Sequence, residues 1–172
     1  MSSIIKVDTI QTAAGGTPTA ADLGLNTTGS VVQTHHFSYT PGSTYQTNSA
    51  SFTDVTGVST TFTPSSADGF LLIQAVFPCE MYTPTGSDVH SYSALHDSIL
   101  GRLIQVAGQG DNLGKLGDIV WLPQVHVHTY KLTHGSTVQR TFKIQVANAS
   151  TSRNIRFRTE HTAQIQVMEI AG

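Results

Sequence analysis

From Val31 to the C-terminus, apolar and polar positions alternate with a period close to two, the pattern of strands with one face on a core. The predicted strands are 31–39, then 51–55 and 58–63 with a break at Gly57. The strongest apolar run, 70–77, reads as a central strand that stops at Pro78. Strands over 99–106, 118–122, 124–132, 137–146, 154–159 and 164–170 follow. Residues 64–69, Pro-Ser-Ser-Ala-Asp-Gly, form a dense turn cluster. Only 92–99 offers a trace of a helical stripe. Eight or nine short strands punctuated by Gly, Pro, Ser and Asn predict an all-β sandwich. The polar, glycine-containing stretches 83–98 and 107–117 read as loops at one end of it.

The first thirty residues differ. Ile4, Ile5, Val7 and Ile10 suit one short strand, and residues 12–29 are rich in Ala, Gly, Thr and Pro. Such a segment buries too little apolar surface to fold alone. It reads as an extended arm, 1–30, that gains order by lying on another surface, ahead of a sandwich domain at 31–172.

Apolar supply raises a second expectation. A core assembled from Phe62, Phe70, Leu72, Val76, Leu103, Val120, Phe142, Ile144, Ile155, Phe157, Ile165 and Val167 leaves Leu71, Ile73, Met168 and Ile170 on the opposite faces of their strands. Outward apolar groups on a central and a final strand need a cover, and a neighbouring copy is the simplest one. These four residues are the expected subunit interface.

Composition narrows the class. The 172 residues include 24 Thr and 17 Ser but only 12% charged residues, about half the usual share. Cys79 is the single cysteine, which excludes an internal disulfide framework. The opening segment lacks the apolar core of a signal peptide, and no run approaches a membrane span, so membrane insertion is not expected. A net charge of −2 gives no electrostatic case for nucleic acid. Charge is uneven, however: residues 1–100 hold one base, Lys6, and seven acids, whereas Lys131, Arg140, Lys143, Arg153, Arg156 and Arg158 lie in an acid-free stretch between Asp118 and Glu160. The expected arrangement sets these bases beside acids of the first half or of another subunit; the alternative is a basic patch for an anionic glycan.

Several segments together resemble the tumour-necrosis-factor-like (complement-type) jelly-roll module of phage fibre and other virion structural proteins. They are Ser51-Phe-Thr-Asp-Val-Thr-Gly-Val-Ser-Thr-Thr-Phe-Thr-Pro-Ser-Ser66, Phe70-Leu-Leu-Ile-Gln-Ala-Val76, Ser98-Ile-Leu-Gly-Arg-Leu-Ile104, Thr141-Phe-Lys-Ile-Gln-Val146 and Gln164-Ile-Gln-Val-Met-Glu-Ile-Ala171. The opening Ile5-Lys-Val-Asp-Thr-Ile-Gln11 is similar to the attachment end of phage fibres. The resemblance implies a non-enzymatic, homotrimeric phage virion protein. Its arm would attach to other virion proteins and its jelly roll would face outward as a fibre or adhesion component. A capsid decoration (cement) protein of the same fold and a lectin-like domain binding host surface glycan are the alternatives.

His126-Val127-His128 is the sharpest chemical feature. Residues two apart on a strand share a face, so three such pairs around a three-fold axis would offer six imidazole nitrogens to a transition metal. The resemblance points the same way, since some phage spikes hold an axial ion with His-x-His. The alternative is two polar or partly buried side chains without metal, and no other cofactor is expected. Of the adjacent His35 and His36, one should be buried and one exposed. Glu169 reads as a buried acid paired with an arginine. Arg156 and Arg158 with Tyr82, Tyr92 and Trp121 offer residue types suited to a sugar platform, weighed against dispersed surface groups. No Gly-x-Ser-x-Gly elbow or phosphate-binding glycine loop is present, so no catalytic residue is assigned.

Overall fold

Ten antiparallel strands account for the regular structure of the computed structural model, which describes residues 16, 28–83, 89–110, 120–149, 151 and 153–172. The arm residues Ile4, Ile5, Val7 and Ile10 lie outside the described residues, as do parts of the two expected loops. The strands are β1 (Val31–Tyr39), β2 (Tyr45–Thr47), β3 (Thr53–Phe62), β4 (Phe70–Thr83), β5 (Val89–Asp97), β6 (Gly101–Gly110), β7 (Val120–Leu132), β8 (Arg140–Asn148), β9 (Asn154–Phe157) and β10 (Ala163–Ile170).

One sheet runs β1-β10-β4 with β7 on the far side of β4, and the other runs β3-β8-β5-β6. Setting aside the short β2 and β9, the first principal strand pairs with the last, β3 with β8, β4 with β7, and β5 with β6. That nested pairing is a long hairpin folded over on itself, the topology of a jelly roll. The expectation of an all-β jelly-roll sandwich therefore holds.

Two readings of local chemistry change. Residues 92–99 are not helical, because 89–97 form β5 inside the second sheet and its loop is correspondingly shorter. Pro78 does not end the central strand, which continues to Thr83. On the side of β4 away from β7, the partner changes from β10, last paired at Val76, to β9, first paired at Glu80. Pro78 sits in that gap, where a missing N–H costs least.

The parity of β4 is the reverse of the expected one. Leu71, Ile73, Ala75, Phe77, Cys79 and Met81 face inward and are buried. They meet Ile165 and Val167 of β10, Phe142, Ile144 and Val146 of β8, and Val55, Val58 and Phe62 of β3 in one core. Leu72 and Val76, expected inside, are half-exposed on the outer face with Gln74. Leu71 and Ile73 are fully buried within the sandwich, so their assignment to a subunit interface is overturned. Ile170 is also buried, at the strand end beside Phe70; of the four expected interface residues only Met168 is half-exposed.

The two ends of the sandwich differ. Residues 63–69, 98–100 and 133–139 connect strands at one end, where Gly29 N–H donates to Ala171 O and Ala171 N–H to Ser30 O. Gly29 and Ser30 thus meet Ala171 at this end, here called the base. Two buried carboxylates close it. Glu169 accepts from Ser65 N–H (2.9 Å), Ser66 N–H (3.0 Å), Ser65 Oγ (2.9 Å) and Gln33 Nε2 (2.6 Å). Burial pushes this carboxyl up, but the bonds from Ser65, Gln33 and Ser66 outweigh it and leave it below the usual value of 4.5. The expected arginine partner of Glu169 is replaced by this turn. Asp97 meets Arg140 at 2.5 Å and accepts from Leu100 N–H at 3.0 Å, stitching β5, β8 and the 98–100 turn.

Replacing Ile73 by Ala should cost about 2–5 kcal/mol, the usual penalty for emptying a buried site. Chemical denaturation measures it. A cost under about 0.5 kcal/mol, the range of surface substitutions, would return Ile73 to the outside.

Candidate functional site

On β7 the residues opposite inward Ala75 and Phe77 of β4 are His128 and His126, so both imidazoles face the second sheet. Ser93 of β5 meets them there. Its Oγ lies 2.6 Å from His126 Nδ1 and 2.9 Å from His128 Nε2. One hydroxyl donates a single proton, so Ser93 donates to one ring and accepts from the N–H of the other. His126 Nε2 and His128 Nδ1 have no partner among the described residues. Burial holds both rings neutral. It pushes each pKa from 6.5 down to about 4, and for His128 the neighbouring His126 adds to the shift.

This geometry corrects the axial metal reading. The pair does share a face, but the face is the inside of one sandwich, where His126 and His128 are 2% and 0% exposed. Rings buried there cannot meet symmetry copies around an axis. The donor set does not fit either: no group of three His, Cys, Asp or Glu gathers among the described residues, and Ser93 Oγ occupies the point on which the two nitrogens converge. The same contact has the form of a nucleophile and base. Ser93 is fully buried, however, so no substrate reaches its hydroxyl.

The charged platform forms in part. Glu80 on β4 pairs with Arg156 on β9, and Arg158 joins it at 3.3 Å while also meeting Glu160 at 2.6 Å. The Arg156 guanidinium stacks 3.7 Å over the Trp121 ring, and Trp121 packs on Tyr82 with centroids 5.4 Å apart. Four of the five expected residues therefore meet on the outer face of the first sheet. Tyr92 does not, because it belongs to β5 in the other sheet. Arg156 covers one face of the indole and is held by Glu80, so this cluster ties β4, β7 and β9 together. His35 is half-buried against Thr60 Oγ1 at 2.7 Å and His36 is exposed.

What sequence reasoning missed is the outer face of the first sheet. Val125 and Val127 on β7 stand 62% and 57% exposed, opposite half-exposed Pro78 and Val76 of β4. Leu72 and Met168 continue the band on β4 and β10, and Gln74, Thr129, Gln164 and Gln166 complete it. Among the described residues, charge appears only at its margins, with Lys131 over the Phe70 ring at one end and Glu80 with its arginines at the other. The alternation Val125-His126-Val127-His128 carried the signal: if the histidines are inside, the valines are outside.

No family model and no curated protein matches the chain. Solved structures do: T=1 particles derived from infectious bursal virus (9% identity over 83% of this chain and 37% of that chain, TM-score 0.36), and the VP2 subviral particle of infectious bursal disease virus (12% identity, 83% and 39%, TM-score 0.34). The Gx strain of the same virus gives 11% identity, 83% and 38%, and a TM-score of 0.33. The chain spans less than two-fifths of the length of these proteins. At these scores the overlap is loose, and the jelly-roll assignment rests on strand register.

Acid should weaken the fold through the histidine pair. The folded-state pKa lies below the unfolded one, so below about 6.5 the unfolded chain binds protons that the folded chain refuses until about 4. Stability is therefore highest above pH 6.5 and falls as the pH drops towards 4. His128→Gln should flatten this slope, read as thermal midpoint against pH. An unchanged slope would show that the pair is not what titrates.

Proposed function

We propose that this chain is a non-enzymatic structural protein of a virion, a fibre or adhesion component of a phage particle, and that its jelly rolls associate as a homotrimer. The observation that carries the reading is the uncovered apolar band on the outer face of the first sheet, centred on Val125 and Val127. An exposed sheet face of this kind is costly in water and marks a contact. The band is free of charged side chains between its margins, so two copies meet there without like-charge repulsion. The nested strand order supports the particle role, because shells and outward modules of virions are often built from jelly rolls. The resemblance of the opening residues 5–11 to fibre attachment ends supports an arm that binds other virion proteins.

The base supports the orientation. Ile99 and Leu100 in one turn and Val138 in another connection are 50–58% exposed at the same end of the sandwich as Gly29, Ser30 and Ala171. With the base towards the particle, the opposite end faces outward.

Light scattering on the full chain at micromolar concentration tests this. The expected mass is three times the 18.4 kDa of one chain, and Val125→Glu with Val127→Glu should reduce it to one. A folded monomer in the unaltered protein, or a trimer that ignores both substitutions, would contradict the proposal.

A further inference from the structure

At the end of the sandwich opposite the base, the connection from β1 to β2 folds beside β3 and leaves a surface cleft of about 330 Å³. That volume lies at the lower end of the range of small-molecule sites. Tyr39 and Tyr45 line it with Ser43, Thr44, Gln46 and Thr56.

The lining is held in place from several sides. Gly57, at φ +83°, sits under the Tyr39 ring, and a β-carbon there would come within 2.2 Å of that ring. Only glycine lets the tyrosine lie against β3 at this point. The other face of the site is fixed by Tyr39 packing on Phe157, with centroids 6.4 Å apart, and by Tyr45 Oη bonding Thr53 Oγ1 at 3.1 Å. Gln46 donates to Asn154 Oδ1 at 3.3 Å.

We infer that this cleft binds an uncharged carbohydrate. The lining carries no charged side chain, and Arg156, which stands opposite Gln46 in the β2–β9 register, is already held by Glu80 and stacked on Trp121, so an anionic sugar, sulfate or phosphate would find no free cation in the lining. A wholly apolar ligand would strip water from three aliphatic hydroxyls, two phenols and an amide without replacing its bonds. Hydroxyls and carboxamides both donate and accept, which matches the hydroxyls of a neutral sugar. Pro41 and the edges of the two tyrosine rings that line the cleft supply apolar surface for the C–H groups of a pyranose. The site is separate from the apolar band and adjoins the Trp121–Arg156 cluster, since Gln46 stands opposite Arg156 in the β2–β9 register; it does not require the chain to be a virion protein.

The experiment is a glycan array of neutral, sialylated and sulfated glycans probed with the full chain, followed by saturation-transfer NMR on the strongest neutral ligand. Neutral glycans should be retained over anionic ones. The double variant Thr44→Ala, Thr56→Ala, both exposed side chains of the lining, should weaken binding at least tenfold without moving the thermal midpoint. Retention of no neutral glycan, preference for anionic ones, or affinity that survives the double substitution would each overturn the inference. A monomer that still binds through this cleft would refute the assembly reading and leave this one standing.

Discussion

The structure depends on one constraint: β4 is apolar on both faces and only one face fits inside. Its odd-numbered residues from Leu71 to Met81 supply the largest inward row of the core, and β7, β9 and β10 are registered directly against this strand, with β1 placed through β10. The even-numbered residues then stand outside with the valines of β7. Burying a side chain of this size is worth about 1.5–3 kcal/mol, so the inward choice for Ile73 and Phe77 is decisive and the outward remainder is a debt left at the surface. Assembly through that face and the internal fold are two consequences of the same strand.

Polar groups are placed to protect this arrangement. The acids of the first half of the chain meet the bases of the second half: Asp54 with Lys143, Glu80 with Arg156 and Arg158, Asp97 with Arg140. Each pair joins neighbouring strands or a strand and a turn, which makes a slip in register costly because it would strand a charge. The uneven charge distribution along the sequence is thus a record of strand pairing. Glu169 performs the same service at the base with backbone donors in place of a cation.

The fold class was legible because period-two alternation survives in β1, β3, β8 and β10, and because Pro64–Gly69 turns the chain as its composition demands. The facing of β4 was harder to read, since 70–77 is apolar at both parities and Gln74 is the only polar residue within it. That glutamine, exposed in the structure, shares parity with Leu72 and Val76 and identifies the outer face. The strand β5 was hidden because its inward positions include Ser91 and Ser93, small hydroxyls that partner Asn148 and the two histidines. Polar residues that satisfy one another inside a sandwich carry no hydrophobic signal. For the same reason the shared face of His126 and His128 could be derived from spacing, while the side of the sheet to which it belongs could not. The cleft lined by Tyr39 and Thr56 depends on the β1–β2 connection lying against β3, where Gly57 admits the Tyr39 ring, and local sequence does not encode that encounter.

The most direct measurement of the central claim is hydroxyl-radical footprinting of Val125 and Val127 across a thousandfold range of protein concentration. The account predicts strong oxidation in dilute solution and protection of both valines, with Val76 and Pro78, as copies come together. Oxidation of this face that stays constant while the protein remains folded would contradict it.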